Sequence, residues 1–266
     1  MTRFNLPIAI ALALLCALTA PAQQAVYVLT DGAGITRQSL LPSTDRSKLD
    51  SALVRAAWDA DDHIISAGFT AHGLQLTIAS HPSWGNQTYA LESSYPADFI
   101  SDMLQRGFRI TELTTDGSQW LAVATEGTDY STQYFFSFPT PATDDDLRTI
   151  NEAFTCLSDA SFFITDCTYS EPADTWTIVA SNTGRPMTQK WDFLYSPNDV
   201  IQFFNTNQAD GYRFSAIDYG NGRYLAVMAR NPQIALGQTV SINPPDPEAL
   251  FRSYWDRGFI ITQIGH

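Results

Sequence analysis

The chain has 266 residues, with 15 Lys and Arg against 28 Asp and Glu and a formal net charge of −13. That field repels phosphate backbones, which excludes nucleic acid as a partner, and its plainest consequence is solubility rather than an acidic-substrate or cation-buffering role. The length allows one large core, so a single domain is permitted.

Residues 1–22 read as an export signal. Arg3 precedes the apolar run 6–20, and Ala20-Pro21-Ala22 offers a small-x-small cleavage site before Gln23. The run falls short of the ~20 residues a membrane-spanning helix needs, which makes a retained anchor the weaker alternative. The large Leu15 argues against lipid attachment at Cys16, and no later stretch is apolar enough to cross a bilayer. The expected mature protein is therefore a single secreted or periplasmic domain over 23–266.

That domain repeats a unit of roughly 50 residues, as a repeat architecture does. Val26-Tyr27-Val28-Leu29 matches a second strand and Ser39-Leu40-Leu41 a third. A helix over 49–54 leads to a loose first strand, His63-Ile64-Ile65-Ser66, and to a second over 74–78. The next units begin with Phe108-Arg109-Ile110-Thr111, Phe162-Phe163-Ile164-Thr165 and Tyr212-Arg213-Phe214-Ser215, and the last with Phe259-Ile260-Ile261-Thr262. Their period-two alternation marks strands. Turn residues such as Tyr219-Gly220-Asn221-Gly222 join first strands to second strands, among them Trp120-Leu121-Ala122-Val123 and Tyr224-Leu225-Ala226-Val227. Third strands end at Pro42, Pro96, Pro139, Pro197 and Pro244, and short amphipathic helices follow over 99–104, 147–154, 200–204 and 250–255. Asp144-Asp145-Asp146 crowds a helix start, where the dipole favours acids; without a glycine at ligand-loop spacing, capping outweighs a calcium site.

The chain starts on a second strand and finishes on a first, so its two ends complete one repeat. A linear stack gains little from that split, whereas a ring gains a latch and loses its open edges. The expected fold is α+β and β-rich: five tandem βββα repeats closed into a propeller-like toroid.

Before each third strand stands a glutamine, Gln38, Gln87, Gln133, Gln189 and Gln238, at spacings of 49, 46, 56 and 49. An amide can bridge backbone groups, and repetition in every copy favours that structural role over a ring of five functional amides. Cys156 and Cys167 lie in one repeat, and a disulfide closing that short loop is expected; the alternative is two small apolar side chains that never pair.

Trp255-Asp256-Arg257-Gly258-Phe259-Ile260-Ile261-Thr262, the turn 219–222, Tyr224-Leu225-Ala226-Val227-Met228-Ala229 and Gln238 together resemble an uncharacterised repeat family. Its hallmark is Trp-Asp-x-Gly, then Tyr/Phe-x-Ile-Thr, then Trp-x-Val-Val-Met-Ser. That family accompanies bacterial caspase-like peptidase domains and forms the C-terminal part of plant casein-kinase-like kinases. The resemblance implies an accessory interaction module with no catalytic residues to carry over. It is loose in the first and third copies, and neither a kinase nor a peptidase domain stands in this sequence.

Chemistry is sparse. Nucleophilic catalysis needs a Ser or Cys beside a His and an acid. His63 falls in the aromatic slot of a first strand, His72 in a hairpin, His266 at the C-terminus, and His81, near Trp84, is the one placed for function. No metal-binding or phosphate-binding motif occurs, so no metal and no cofactor are expected. Five-fold α/β rings invite comparison with guanidine-modifying enzymes, but the cysteines have no nearby histidine. Glu112 and Asp166 share one slot in adjacent copies. A solvated or edge-facing pair is the plain reading, and two facing carboxylates of a hydrolase the sharper one.

Loops between second and third strands vary and carry Trp84, Tyr130, Arg185 and Arg230, the candidate ligand-binding residues. The function expected is a secreted, non-enzymatic binding module recognising a protein or glycan at the cell envelope. The alternatives are a carboxylate-dependent hydrolase at the ring axis or a structural envelope component. Acids converging around a cavity favour the hydrolase; an apolar axis favours the module.

Overall fold

The computed structural model describes residues 25–31, 35, 37–43, 49–71, 73–81, 83–185, 187–230 and 237–265. The expected export signal, His72, His266 and the loop 231–234 beyond Arg230 lie outside them. The chain runs through β1 (Val26–Asp31) and β2 (Gln38–Ser43) into α1 (Ser51–Asp59), β3 (Asp62–Thr70), β4 (Gly73–Ser80) and β5 (Gln87–Glu92). Next come α2 (Ala97–Gln105), β6 (Arg109–Thr115), β7 (Trp120–Thr125) and β8 (Thr132–Pro139). The third unit is α3 (Asp144–Asp159), β9 (Phe163–Ser170), β10 (Thr175–Asn182) and β11 (Thr188–Leu194). The fourth is α4 (Pro197–Gln208), β12 (Arg213–Gly220), β13 (Arg223–Arg230) and β14 (Gln238–Ile242), followed by α5 (Pro247–Trp255) and β15 (Phe259–Gly265).

The fold is mixed α+β and strand-rich. Among the described residues the strands form five three-stranded antiparallel sheets, ordered β2-β4-β3, β5-β7-β6, β8-β10-β9, β11-β13-β12 and β14-β1-β15. The sequence repeat is not the sheet. Each third strand crosses over to pair with the second strand of the following unit: β5 pairs β7, not β4. Its own second strand has no free edge left, because β4 already lies between β2 and β3. The strands from the two ends of the chain share a sheet, with β1 between β14 and β15.

Every sheet has the same logic: its middle strand is buried on both faces. Tyr224, Ala226 and Met228 of β13 pack against Val26 and Val28 of β1, while Leu225 and Val227 turn the other way onto Trp176 and Ile178 of β10. In β7, Leu121 and Val123 meet Leu74, Leu76 and Ile78, and Ala122 and Ala124 meet Val179. Tyr27 and Leu29 of β1 face Leu40 of β2. Alternate residues thus feed two cores, which is why β7 and β13 read as continuous apolar runs rather than as alternating ones, while β4 buries Gln75 and Thr77 between its apolar residues. Each sheet shares a core with two others, and the first strands touch in the order β3, β6, β9, β12, β15, with β15 meeting β3.

The helices start where the sequence places polar caps. Asp50 accepts from the Ala52 and Leu53 N–H groups, and Ser196 and Asp246 accept from Asp199 and Ala249. Thr143 and Asp146 form a reciprocal capping box, so the acidic triplet serves the α3 terminus. Burial beneath these helices falls on few positions, such as Val54 in α1 and Ile150 and Phe154 in α3.

Candidate functional site

Each first strand carries a β-bulge at the same place. Ile65, Thr111, Thr165, Ser215 and Thr262 are the extra residues, as the register shifts beside them record. The residue before each bulge turns its N–H and C=O outward to an unpaired strand edge, and there the repeated glutamines act. Gln133 Oε1 accepts from Ile110 N at 2.7 Å and its Nε2 donates to Ile110 O at 2.7 Å and to Ser181 Oγ at 3.0 Å. Gln87 clasps Ile64, Gln189 clasps Ile164, Gln238 clasps Phe214, and Gln38 clasps Ile261 more loosely at 3.4 Å. Each glutamine reaches from its own sheet to the preceding one, and Gln38 links the sheet of β3 to that of β15. His63 stands one position from its expected aromatic slot: Ile64, held by Gln87, is the counterpart of Ile110.

Beyond the bulge, three acids do for the next stretch of edge what the glutamines do before it. Glu112 accepts from Ala67 N at 3.0 Å, Asp166 from Leu113 N at 2.7 Å and from its neighbour Cys167 N at 2.8 Å, and Asp218 from Tyr169 N at 2.9 Å. Glu112 and Asp166 are edge-facing, as one expectation had it, and half-buried. They and Asp218 line a cavity of about 510 Å³ bordered by the bulged first strands. Burial and mutual proximity hold Glu112 well above the ordinary carboxylate range, and burial pushes Asp166 up to about 8. Burial, reinforced by Asp218 and Asp166, raises the Cys167 thiol.

Three loops complete the cavity and are braced to one another. Gly85 N donates to Glu126 O, and Asn86 Nδ2 donates to the Glu126 carboxylate at 2.7 Å. Gly127 has φ +74, and a Cβ there would sit 2.7 Å from Ser83 O, so only glycine lets these two loops approach. Arg109 Nε fixes the second loop through Tyr130 O and Ser131 O at 3.2 and 3.1 Å. Ser131 N reaches Asn182 O, and Arg185 meets Asp129 at 2.8 Å, which ties in the third loop.

Of the four candidate binding residues, Trp84, Tyr130 and Arg185 border the cavity. Arg230 does not: it is exposed and lies 5.2 Å over the Tyr212 ring. His81 borders the cavity too, stacked on Trp84 with centroids 4.2 Å apart, and burial lowers its pKa. His63 meets the edge of Trp84 and bonds Gly85 O through Nε2 at 2.8 Å. The Tyr130 phenol is pushed up to about 12, first by burial and then by Glu112, Asp166 and Asp129. Two cavity residues escaped the sequence reading, Asp218 and Gln263, whose buried Oε1 has no partner within the protein. The signal for Asp218 was an acid directly after the apolar pair Ala216-Ile217 in β12. The expected disulfide is corrected: both thiols are free, Cys156 exposed on the outer side of α3 and Cys167 buried in β9.

Among the described residues no group of three or more His, Cys, Asp and Glu side chains is placed to hold a metal, and no helix is long and apolar enough to cross a membrane. Fold and site together define a strand-rich α+β repeat protein with one acid-floored, aromatic-rimmed cavity. The profile of a family described as "Domain of unknown function (DUF7477)" matches residues 12–144, half of the chain, and the protein belongs to that family. No curated protein matches the chain.

Proposed function

We propose that the five sheets close into a propeller-like ring and that the protein is an exported binding module whose loop-bearing face admits part of a protein or glycan ligand into the axial cavity. Closure is supported by the cyclic contacts of the first strands and by the Gln38 clasp on Ile261. Export rests on the N-terminal leader of the sequence. The observation that carries the binding reading is that Trp84, Tyr130 and Arg185, from three separate loops, border the same cavity as Glu112 and Asp166. A concave, half-apolar site with a few convergent polar groups is the ordinary form of a ligand pocket. An accessory role, as in the repeats found beside caspase-like peptidases and on casein-kinase-like kinases, belongs to this reading.

The second reading, a carboxylate hydrolase, is favoured by the acids around the cavity. Against it, Asp166 already accepts two main-chain N–H groups and Glu112 accepts one, so both serve strand edges. Thermal-shift measurement of the chain from Gln23 onward with soluble glycans and peptides tests the module, since a ligand at 100 times its Kd stabilises by about 2.7 kcal/mol. Trp84→Ala should weaken a genuine ligand at least tenfold. A ligand bound equally by wild type and Trp84→Ala would sink the cavity reading, and turnover lost in Glu112→Gln would move the assignment to a hydrolase.

A further inference from the structure

We infer that the group this cavity takes is an organic cation, a protonated amine or a guanidinium, seated between the aromatic rim and the carboxyl floor. The inference rests on the binding reading above and names the chemistry of its ligand. It starts from the cavity's hydrogen-bonding inventory. Glu112, Asp166 and Asp218 supply carboxyl oxygens, and Gln263 lines the cavity beside them. The basic groups nearby are already engaged: Arg185 pairs with Asp129 at 2.8 Å, and Arg213 donates to the carbonyls of Gln208 and Tyr212. None of the ion pairs among the described residues includes Glu112 or Asp166. A floor rich in acceptors and poor in cations is complementary to a ligand that brings donors and positive charge. The rim fits the same class, because Trp84 and Tyr130 border the cavity and aromatic rings attract a cation, most strongly away from water. The net charge of −13 draws cations toward the molecule as a whole.

Entry of a cation has a proton consequence. Burial raises both Glu112 and Asp166; Asp166 acts further on Glu112 and Asp218 on Asp166, while both acids act on Tyr130 and Asp166 acts on Cys167. Without a ligand the pair retains a proton near neutral pH; a bound cation favours the ionised form, and that proton leaves to solvent. No covalent bond forms or breaks. Two sources present the same chemistry, a free small amine or the Lys or Arg side chain of a partner.

The chain from Gln23 onward should be titrated by calorimetry with agmatine, putrescine, a Lys/Arg-containing peptide and, as the neutral comparison, chito-oligosaccharide. The inference expects the amines or the peptide to bind, Glu112→Gln to weaken them at least tenfold, and the heat at pH 7 to vary with buffer ionisation as protons are released. Glu112→Gln keeps an oxygen for the Ala67 N–H, and its melting curve reports whether it stays folded. Peptide binding at least tenfold tighter than agmatine assigns the source to a partner's side chain; the reverse assigns it to a free amine. Saccharide binding that Trp84→Ala weakens, without amine or peptide binding, overturns the cation class and leaves the cavity reading standing. Amine binding indifferent to both substitutions is adsorption to an acidic surface and overturns the site. Silence from every probe overturns both.

Discussion

At Gln133 one amide group does what a neighbouring strand would do, taking the N–H and returning a donor to the C=O of Ile110. Gln133→Ala leaves both backbone groups and Ser181 without that partner, and unsatisfied buried groups cost about 1–3 kcal/mol each. The expected loss is about 2–4 kcal/mol, read as a lower denaturation midpoint at unchanged m-value. The acids at the next edge positions carry a pH dependence. Asp166 titrates at about 8 in the folded chain against 3.8 as its ordinary value, so the folded state holds more protons than the unfolded state between those limits. Stability contributed by the protonated group is full below the unfolded value and falls as pH rises through the folded one. Melting temperature should therefore drop between roughly pH 4 and 8. Glu112→Gln should flatten that fall, because removing one member of the pair relieves the other. An equally steep fall in the variant would show that other groups cause it. The glutamines were legible because they recur at fixed spacing. That they reach across to a bulged edge was not, because a bulge adds one residue without changing composition.

At the scale of elements, the second strands explain both what the sequence disclosed and what it hid. Apolar runs such as those over 120–124 and 224–229 marked second strands, and the caps at Asp50, Thr143, Ser196 and Asp246 marked where helices begin. The pairing partner of a third strand was not legible, since period-two alternation gives a strand its faces and says nothing of which neighbour takes its edge. The cysteines misled for a related reason. Only ten residues in sequence separate Cys156 and Cys167, yet one is exposed on a helix and the other is buried in a strand. Burial predicts where substitutions matter. Leu225 is fully buried beside Trp176 and Ile178, so Leu225→Ala should cost about 2–5 kcal/mol. Arg148→Ala removes only exposed pairs with Asp145 and Glu152 and should stay within about 0.5 kcal/mol. Chemical denaturation of the two variants side by side checks the contrast.

For the whole molecule the decisive element is β15, which comes from the opposite end of the chain to its sheet partner β1 and stands between β3 and β12. Its approach to both is close enough to require glycine on each side. A Cβ on Gly68 would lie 2.4 Å from Ile264 O, and one on Gly265 would lie 2.5 Å from Ile217 O. In a linear stack, loss of a terminal strand frays one unit and spares the rest, because stability is a sum over neighbours. In the proposed ring the same loss opens the edge of β1, frees the Gln38 amide and exposes the face of the first sheet that Ile261 and Ile264 cover. The two architectures thus predict different outcomes for a chain truncated before Phe259. The ring predicts one cooperative transition displaced far downward, with amide-exchange protection lost in β3 and β13 alike. The stack predicts protection unchanged in β7 and β10, at the far side of the molecule, with loss confined to β1 and β14. Exchange measured strand by strand separates them, and preserved protection at β7 with β1 exposed would overturn the closed ring.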